Sequence, residues 1–184
     1  MSQRAPAIRA EDLVVAHGAR VALDRVTVEV PRGSAVAIIG PNGSGKSTFL
    51  DAVAGLIEPA AGSLQVLDRA PGRARLAYVL QRTDVPEHLP LTVREVVTMG
   101  RYRDTGLVGR LGRRGRQAVD RSLERVGMLE HGDRQLQDLS GGQRQRVLVA
   151  QGLAAEAEML LLDEPMTGLD LPSIDGVLGV IAEE

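Results

Sequence analysis

The nine residues from Gly40 to Thr48 constrain the fold of this chain more than any other segment. They read GPNGSGKST and fit the pattern G-x-x-x-x-G-K-[S/T], in which glycines and a lysine surround a bound phosphate. With the composition of this chain, the pattern would arise by chance in about one such sequence in a thousand. An apolar run at 35–39 precedes it and a helix-compatible run at 47–55 follows. The segment therefore predicts a strand, a phosphate-binding loop and a helix, in that order.

Each residue type in the loop has a physical reason. Glycines let consecutive backbone N–H groups turn toward an anion, and the following helix adds the positive end of its dipole. Ser47 offers a hydroxyl to Mg²⁺, while Lys46 reaches the β- and γ-phosphates as a compact charge. Lys46 is the only lysine among 22 Lys and Arg residues, at a position where the broad guanidinium fork fits poorly. The predicted nucleotide-binding residues are Gly40, Pro41, Asn42, Gly43, Ser44, Gly45, Lys46, Ser47 and Thr48.

Length and composition limit the classes of protein that fit. A chain of 184 residues predicts one domain, and the absence of cysteine excludes disulfides and cysteine-bound zinc. The formal net charge of −2 argues against a protein that coats nucleic acid, so we expect no nucleic-acid partner. The longest apolar runs have five residues, whereas a membrane-spanning helix needs about 20. Met1 to Ala10 lacks the apolar region of a signal peptide, so we expect a soluble cytoplasmic domain.

The first 80 residues are typical of β structure. Alternating or short apolar segments predict strands at 8–15, 26–30, 63–67 and 76–80. The first two suit a half-exposed antiparallel sheet. The run at 35–39, AVAII, predicts a strand that is buried on both faces, as in the centre of a parallel sheet.

The middle of the chain changes to helical spacing. From 85 to 139 the β-branched runs disappear, and Val93, Val96 and Val97 follow the cap-like Thr92. We expect a helical insertion here. Within it, 101–116 holds six arginines and one aspartate. A solvated surface is the ordinary interpretation of such a charge run, and an interaction surface is the alternative.

Two acids follow the apolar strand predicted at 159–162. At the carboxyl edge of a parallel sheet beside a phosphate loop, Asp163 suits a ligand that holds Mg²⁺ through water. Glu164 points to the opposite side of the strand end and is a candidate to orient or deprotonate an attacking water. A strand followed by two acids is usually a surface turn, but the phosphate loop in the same chain favours a functional pair.

A third element opens the helix predicted at about 142–154. Ser140 is a natural N-cap, and the glycines after it leave N-terminal amides uncovered for another phosphate. The pentapeptide consists of Leu139, Ser140, Gly141, Gly142 and Gln143. It precedes the acid-bearing strand by one helix.

Together these motifs resemble the ATP-binding subunits of ABC transporters, over essentially the whole chain. The motifs in family order are Walker A at 40–48, Gln81 after YVL, LSGGQ at 139–143, Walker B at 159–165, and a D-loop of Thr167, Gly168, Leu169 and Asp170. The resemblance implies an α/β fold of the ABC-type P-loop NTPases. That fold has a mixed core sheet with flanking helices, an N-terminal antiparallel β subdomain and a helical insertion.

The resemblance implies one ABC ATPase domain over residues 1–184. Its parts are an antiparallel β part at 1–32 and 62–80, a P-loop core at 33–61, 81–84 and 140–184, and a helical subdomain at 85–139. ATP and Mg²⁺ are the implied cofactors. The implied catalytic residues are Glu164, Lys46 and Gln81, and the implied metal ligands are Ser47, Gln81 and Asp163.

Family resemblance also implies the partners. Two copies dock head to tail, so that LSGGQ of one covers the γ-phosphate held by the other, and hydrolysis at Glu164 lets the homodimer reopen. Gln81 would link Mg²⁺ to the helical insertion, which in the family contacts membrane permease subunits. A solute-binding protein is an indirect partner. The implied location is the cytoplasmic face of the membrane, and 101–116 would lie near the permease or lipid headgroups.

Within the family, residues 81–103 look most like the ATPases of zinc and manganese importers. Importers of siderophore iron and cobalamin share much of the pattern and remain an alternative. ABC proteins of DNA repair or translation fit less well, because neither a coiled-coil insertion nor a second cassette is visible. A further alternative is a truncated, non-catalytic nucleotide-binding module.

Two departures from the family pattern stand out. Where the family usually stacks an aromatic ring on adenine, this chain has His17, which is either an imidazole stacker or an ordinary loop histidine. The family's switch histidine is expected at roughly 190 to 200, after one more helix and strand of average length. The chain ends at Glu184, so we expect a shortened chain that binds Mg-ATP with slow or absent turnover.

Overall fold

The computed structural model describes residues 5–80, 90–105 and 110–164. The chain forms two compact units, 1–76 and 77–184. Gln81 and the predicted D-loop at 167–170 lie outside the described residues.

The first unit is built on a three-stranded antiparallel sheet. Strand β1 (Ile8–His17) is central, with β2 (Arg20–Val30) on one edge and β3 (Ala61–Val66) on the other. A two-residue turn joins β1 to β2. In β2 the half-buried Val26, Val28 and Val30 alternate with exposed residues, because one face of the sheet packs and the other is solvated. The antiparallel β structure expected in this region is confirmed.

Helix α1 (Lys46–Ala54) follows the phosphate loop, as predicted. It buries Phe49, Ala52 and Val53 and contacts all three strands of the sheet. The helix ends at Gly55, whose left-handed backbone lets its N–H and that of Leu56 bond the last turn, with Leu56 N–H donating to Asp51 O at 2.9 Å. One buried helical face on one sheet face therefore makes the core of this unit.

The segment 35–39 differs from its prediction. The structure gives it no helix or strand, and no strand partner among the described residues. Its side chains are exposed, and Ile39 is 92% accessible. The prediction of a strand buried on both faces was wrong here, because an apolar run is buried on both faces only where it joins a sheet whose two faces are covered by other elements.

The described part of the second unit holds four further helices. They are α2 (Val93–Met99), α3 (Tyr102–Thr105), α4 (Arg113–Arg125) and α5 (Gly141–Ala154), with short 3₁₀ turns at Leu129–His131 and Leu136–Asp138. A shared apolar core joins α2, α4 and α5. It consists of Val93, Val96, Val97, Val119, Leu123, Val126, Met128, Leu136, Leu139, Val147, Val149, Ala150 and Ala154. The helical spacing expected between 85 and 139 is confirmed where the structure describes it.

The start of α2 is determined by its own sequence. Thr92 and Glu95 form a capping box, in which the Thr92 N–H donates to Glu95 Oε2 at 2.8 Å and the Glu95 N–H donates to Thr92 Oγ1 at 3.2 Å. The hydrogen bond from the Thr92 backbone lowers the pKa of Glu95 below its usual value.

Strands β4 (Leu76–Val79) and β5 (Met159–Leu162) are neighbours in a two-stranded sheet. The sequence expectation grouped 62–80 in the antiparallel β part; β4 lies within that range and pairs with β5. Helix α5 packs on these strands at Gly152, where an added Cβ would meet Val79 and Leu160 side chains at 2.8 Å. Among the described residues, no helix combines the length and the apolar character that crossing a membrane requires.

Candidate nucleotide-binding site

The phosphate loop of the first unit is tied together by its lysine. The Lys46 ammonium donates to the carbonyl oxygens of Gly40 at 3.0 Å and Pro41 at 3.1 Å. The loop is also narrowed by the Ser44 N–H, which donates to Pro41 O at 3.2 Å. A charge on a flexible stem thus lies inside the loop, next to the backbone that a phosphate would approach.

Glycine is required where the loop becomes a helix. Gly45 is the N-cap of α1 with φ of 93°, a left-handed conformation that costs a residue with a Cβ. An added Cβ would also meet Leu23 Cδ2 at 2.7 Å and Ala22 O at 2.8 Å. No side chain bonds the first amides of α1 at this cap. The N-terminal amides and the helix dipole are therefore directed to the loop, as anion binding needs.

The LSGGQ segment of the second unit lies at the start of α5. Ser140 is the N-cap, and its hydroxyl accepts from the Gln143 N–H at 3.3 Å. The Gln143 side chain returns the bond, because its Oε1 accepts from the Ser140 N–H at 3.0 Å. This capping box confirms Ser140 as the N-cap. Gly141 is exposed, and an added Cβ there would meet nothing within 4 Å, so this part of the loop is open to a ligand.

The pentapeptide is anchored on its N-terminal side. Leu139 is 5% exposed and belongs to the core of the unit. Arg144, one turn into α5, donates from Nε to Leu139 O at 3.2 Å and from Nη2 to Gln137 O at 2.6 Å. A buried leucine and a basic side chain therefore hold the backbone that leads to the exposed Ser140 and Gly141.

The acid pair stands at the end of β5, as the sequence predicts. Asp163 is 7% exposed, and its N–H donates to Val79 O at 3.0 Å, which continues the pairing with β4 past the strand end. Glu164 is half-buried and has φ of 46°. A positive φ at a residue other than glycine is a strained backbone conformation, and such strain is common in functional turns.

The donor chemistry of these residues fits Mg²⁺. In the first unit Ser47 has a hydroxyl in the first turn of α1, and in the second unit Asp163 has a carboxylate at the end of β5; that both bind one ion stays a prediction. Hydroxyl and carboxylate oxygens are hard ligands, and Mg²⁺ usually takes one or two of them while phosphates and water complete its shell. Such a site does not need a dense cluster of acidic residues. Among the described residues, no group of three or more His, Cys, Asp or Glu is placed to hold a metal ion.

The remaining predicted site residues are placed only in part. His17 is exposed at the end of β1, where it pairs with Arg20 across the turn, and its stacking on adenine stays a prediction. Gln81 and Asp170 lie outside the described residues, so their roles also stay predictions.

The structure adds two residues that sequence reasoning missed. Arg101, taken as part of a solvated arginine run, is 8% exposed, and its Nη1 donates to Ala154 O at 3.0 Å and to Glu156 Oε2 at 2.8 Å. The hydrogen bond from Arg101 holds the pKa of Glu156 below its usual value. The sequence signal for these two residues was their position alone: Arg101 follows the helix-ending Gly100, and Glu156 precedes the apolar strand β5.

The chain matches the family described as ABC transporter over residues 23–167. It is 40% identical over 183 residues to the zinc transport system ATP-binding protein TroB of Treponema pallidum, and the match covers 98% of this chain and 69% of that protein. It is 38% identical over 174 residues to the manganese transport system ATP-binding protein MntA of Synechocystis, covering 92% of this chain and 67% of that protein.

A solved structure assigned to the metal-chelate type of ABC transporter, in an inward-facing conformation, is similar to this chain with a TM-score of 0.86. The two sequences are 29% identical, and the match covers 98% of this chain and 68% of the other. The P-loop fold, the mixed sheets and the helical region expected from the sequence are thereby confirmed.

Proposed function

We propose that this chain, which belongs to the ABC transporter family and is an ATP-binding ATPase subunit, drives the import of a divalent metal ion, zinc or manganese. The observation that carries the substrate class is the similarity to zinc and manganese transport subunits over more than nine-tenths of the chain. The metal is cargo for a membrane partner, so its chemistry is not read from this subunit.

Lys46 and the loop around it would bind the triphosphate of ATP. The Lys46 ammonium donates to the loop carbonyls of Gly40 and Pro41, so an arriving phosphate would meet a charge that the loop holds in place. Amides at the start of α1 would add N–H donors and the helix dipole. Binding of the phosphates at this loop is therefore favoured by charge and by preorganised backbone together.

Ser47 and Asp163 would hold Mg²⁺, which neutralises the charge of the phosphates when it is bound. Glu164 would orient the attacking water and accept its proton, because its carboxylate follows Asp163 directly at the end of β5. Gln81 would complete the metal ligands, and Asp170 would act in the D-loop.

Head-to-tail pairing of two copies is part of this proposal. The signature loop of one copy would cover the γ-phosphate bound by the other, and the exposed Gly141 with open space around it supports that role. Closing and reopening of the dimer would move the permease subunits, and a solute-binding protein would deliver the ion to them. The ATPase would lie at the cytoplasmic face of the membrane.

The dimer is tested with Glu164→Gln. This variant keeps the size and hydrogen bonds of the side chain but loses the base, so bound ATP should persist and the dimer should accumulate. Size-exclusion chromatography with light scattering, with and without Mg-ATP, measures the change. Lys46→Ala in the same background is the control and should remain monomeric. A Glu164→Gln chain that stays monomeric at saturating Mg-ATP contradicts the head-to-tail dimer.

The transported substrate is tested by reconstitution with a matching permease in vesicles that hold ATP on the side of this chain. Zinc or manganese should enter with wild-type protein and not with Lys46→Ala. Ferric siderophore and cobalamin serve as competing cargo. Uptake of either of these in place of the metal ion, or ATP hydrolysis that no permease stimulates, would contradict the importer assignment.

A further inference from the structure

A buried arginine connects the end of α2 to the end of α5. Arg101 follows Gly100, the C-cap of α2, and its Nη1 donates to Ala154 O in the last turn of α5. Its Nη2 also lies 2.7 Å from Asp104 Oδ2 in α3. A guanidinium suits this place, because its fork bonds several oxygens at once and its charge is favourable at a helix C-terminus.

The same arginine holds the turn that follows α5. Glu156, with φ of 45°, reverses the chain two residues after the helix and three residues before β5. Arg101 Nη1 bonds one of its carboxylate oxygens at 2.8 Å, and Arg121 Nη2 of α4 bonds the other at 3.2 Å. Two cationic donors, Arg101 between α2 and α3 and Arg121 in α4, therefore hold a residue other than glycine in the left-handed conformation.

Close backbone packing makes this connection stiff. An added Cβ at Gly100 would lie 2.2 Å from Gln151 O, so the end of α2 touches the backbone of α5 directly. On its other side α5 meets β4 and β5 at Gly152. Helix α5 is thus held at its C-terminal end, while its N-terminal end carries the signature loop.

We propose that Arg101 and Glu156 form a positioning clamp. The clamp fixes the turn between the signature helix α5 and the acid-bearing strand β5 to the end of α2. Displacement of α2 would then move the signature loop and Asp163 together, because both continue from the clamped turn. The ATP-dependent consequences rest on the proposed function, whereas the clamp itself is a property of the second unit.

The test uses the full chain with Arg101→Lys, Glu156→Gln and the double variant. Lysine keeps the charge but loses the fork, and glutamine keeps the shape but loses the charge, so both should fold. Arg113→Lys, at an exposed arginine at the start of α4, is the matched control. Four quantities are measured: the dissociation constant for fluorescent ATP, the ATP turnover rate, the midpoint of urea unfolding, and hydrogen exchange of peptides covering 139–144 and 155–164.

We expect hydrogen exchange of both peptides to rise roughly tenfold in either single variant, because local opening becomes easier. Turnover should fall roughly tenfold while ATP affinity stays within about twofold, because the phosphate loop is not touched. The double variant should show less than the product of the two single effects, because the two residues share the Arg101–Glu156 contact.

Hydrogen-exchange rates of the two peptides that equal those of Arg113→Lys would overturn the clamp. Single effects on exchange that multiply in the double variant would also overturn it. If the unfolding midpoint, the ATP affinity and the turnover rate all fall together, Arg101 and Glu156 have only a structural role, and the clamp is likewise overturned. If wild-type protein neither binds nor hydrolyses ATP, the proposed function fails, and the exchange measurements still decide the clamp.

Discussion

The phosphate loop and the signature loop both present amides at the start of a helix, yet they are held in different ways. The phosphate loop has no side-chain cap and is mostly exposed, and its internal bonds come from Lys46 and from backbone turns. The signature loop has the capping box of Ser140 with Gln143, and Leu139 anchors it in a core. The phosphate loop is organised around the Lys46 ammonium, which a ligand can bind. The signature loop is held by its own capping box and by the core of its unit. Substitutions should therefore separate binding from stability.

The largest effect is expected at Lys46. Lys46→Ala removes the charge that faces the phosphates and should weaken ATP binding roughly a thousandfold, or about 4 kcal/mol. Isothermal titration with Mg-ATP measures it, and urea unfolding should change little. Lys46→Arg is the control that keeps the charge and tests the need for a compact ammonium. ATP affinity that survives in Lys46→Ala would mean that backbone amides alone bind the phosphates.

Leu139 tests the other side of the comparison. Leu139→Ala leaves a cavity in the core that anchors the signature loop and should lower the free energy of unfolding by about 3 kcal/mol. Urea denaturation measures the loss. Leu56→Ala, at a leucine that is 67% exposed, should change it by less than about 0.5 kcal/mol. Equal effects of the two substitutions would show that Leu139 is not an anchor.

Gly45 separates backbone strain from steric contact in the phosphate loop. Gly45→Ala adds backbone strain, because φ is 93°, and steric contact, because the new Cβ would meet Leu23 and Ala22. The substitution should lower the free energy of unfolding by about 2 kcal/mol. Gly43→Ala has φ of 79° but open space around its Cβ, so it should cost about 1 kcal/mol. Thermal unfolding of the two variants gives the difference. Matching values would assign the whole cost to the backbone.

The smallest effect is expected at the signature cap. Ser140→Ala removes the acceptor for the Gln143 N–H and should destabilise the chain by about 1 kcal/mol. Ser140→Asp restores an acceptor oxygen and should recover most of that loss in urea unfolding. If alanine and aspartate give the same stability, the capping box does not hold this loop.

The starts of α1, α2 and α5 could be predicted from the sequence, because their signals are local. Thr92 with Glu95 and Ser140 with Gln143 lie three residues apart, and each pair closes its own capping box. The loop around Lys46 is likewise determined within a few residues. The strands β1, β2 and β5 followed from alternation or from a short apolar run with turn residues beside it.

The misses have a common cause. The exposure of 35–39 and the pairing of β4 with β5 depend on which strands become neighbours, and an apolar run carries no information about its neighbours. Arg101 looked like the other arginines of 101–116, of which Arg113 and Arg114 are indeed exposed. Nothing nearby in the chain distinguishes the buried one.

The sequence by itself determined the chemistry of this protein: a glycine loop around its single lysine, a capped LSGGQ helix and an acid pair after an apolar strand. Only the tertiary structure decided which charges are structural. Arg101 bonds Ala154 and Glu156, 53 and 55 residues away, and no local pattern specifies contacts over such a distance. Hydrogen bonds within a turn depend on adjacent residues, whereas the burial of a charge depends on every segment that packs around it.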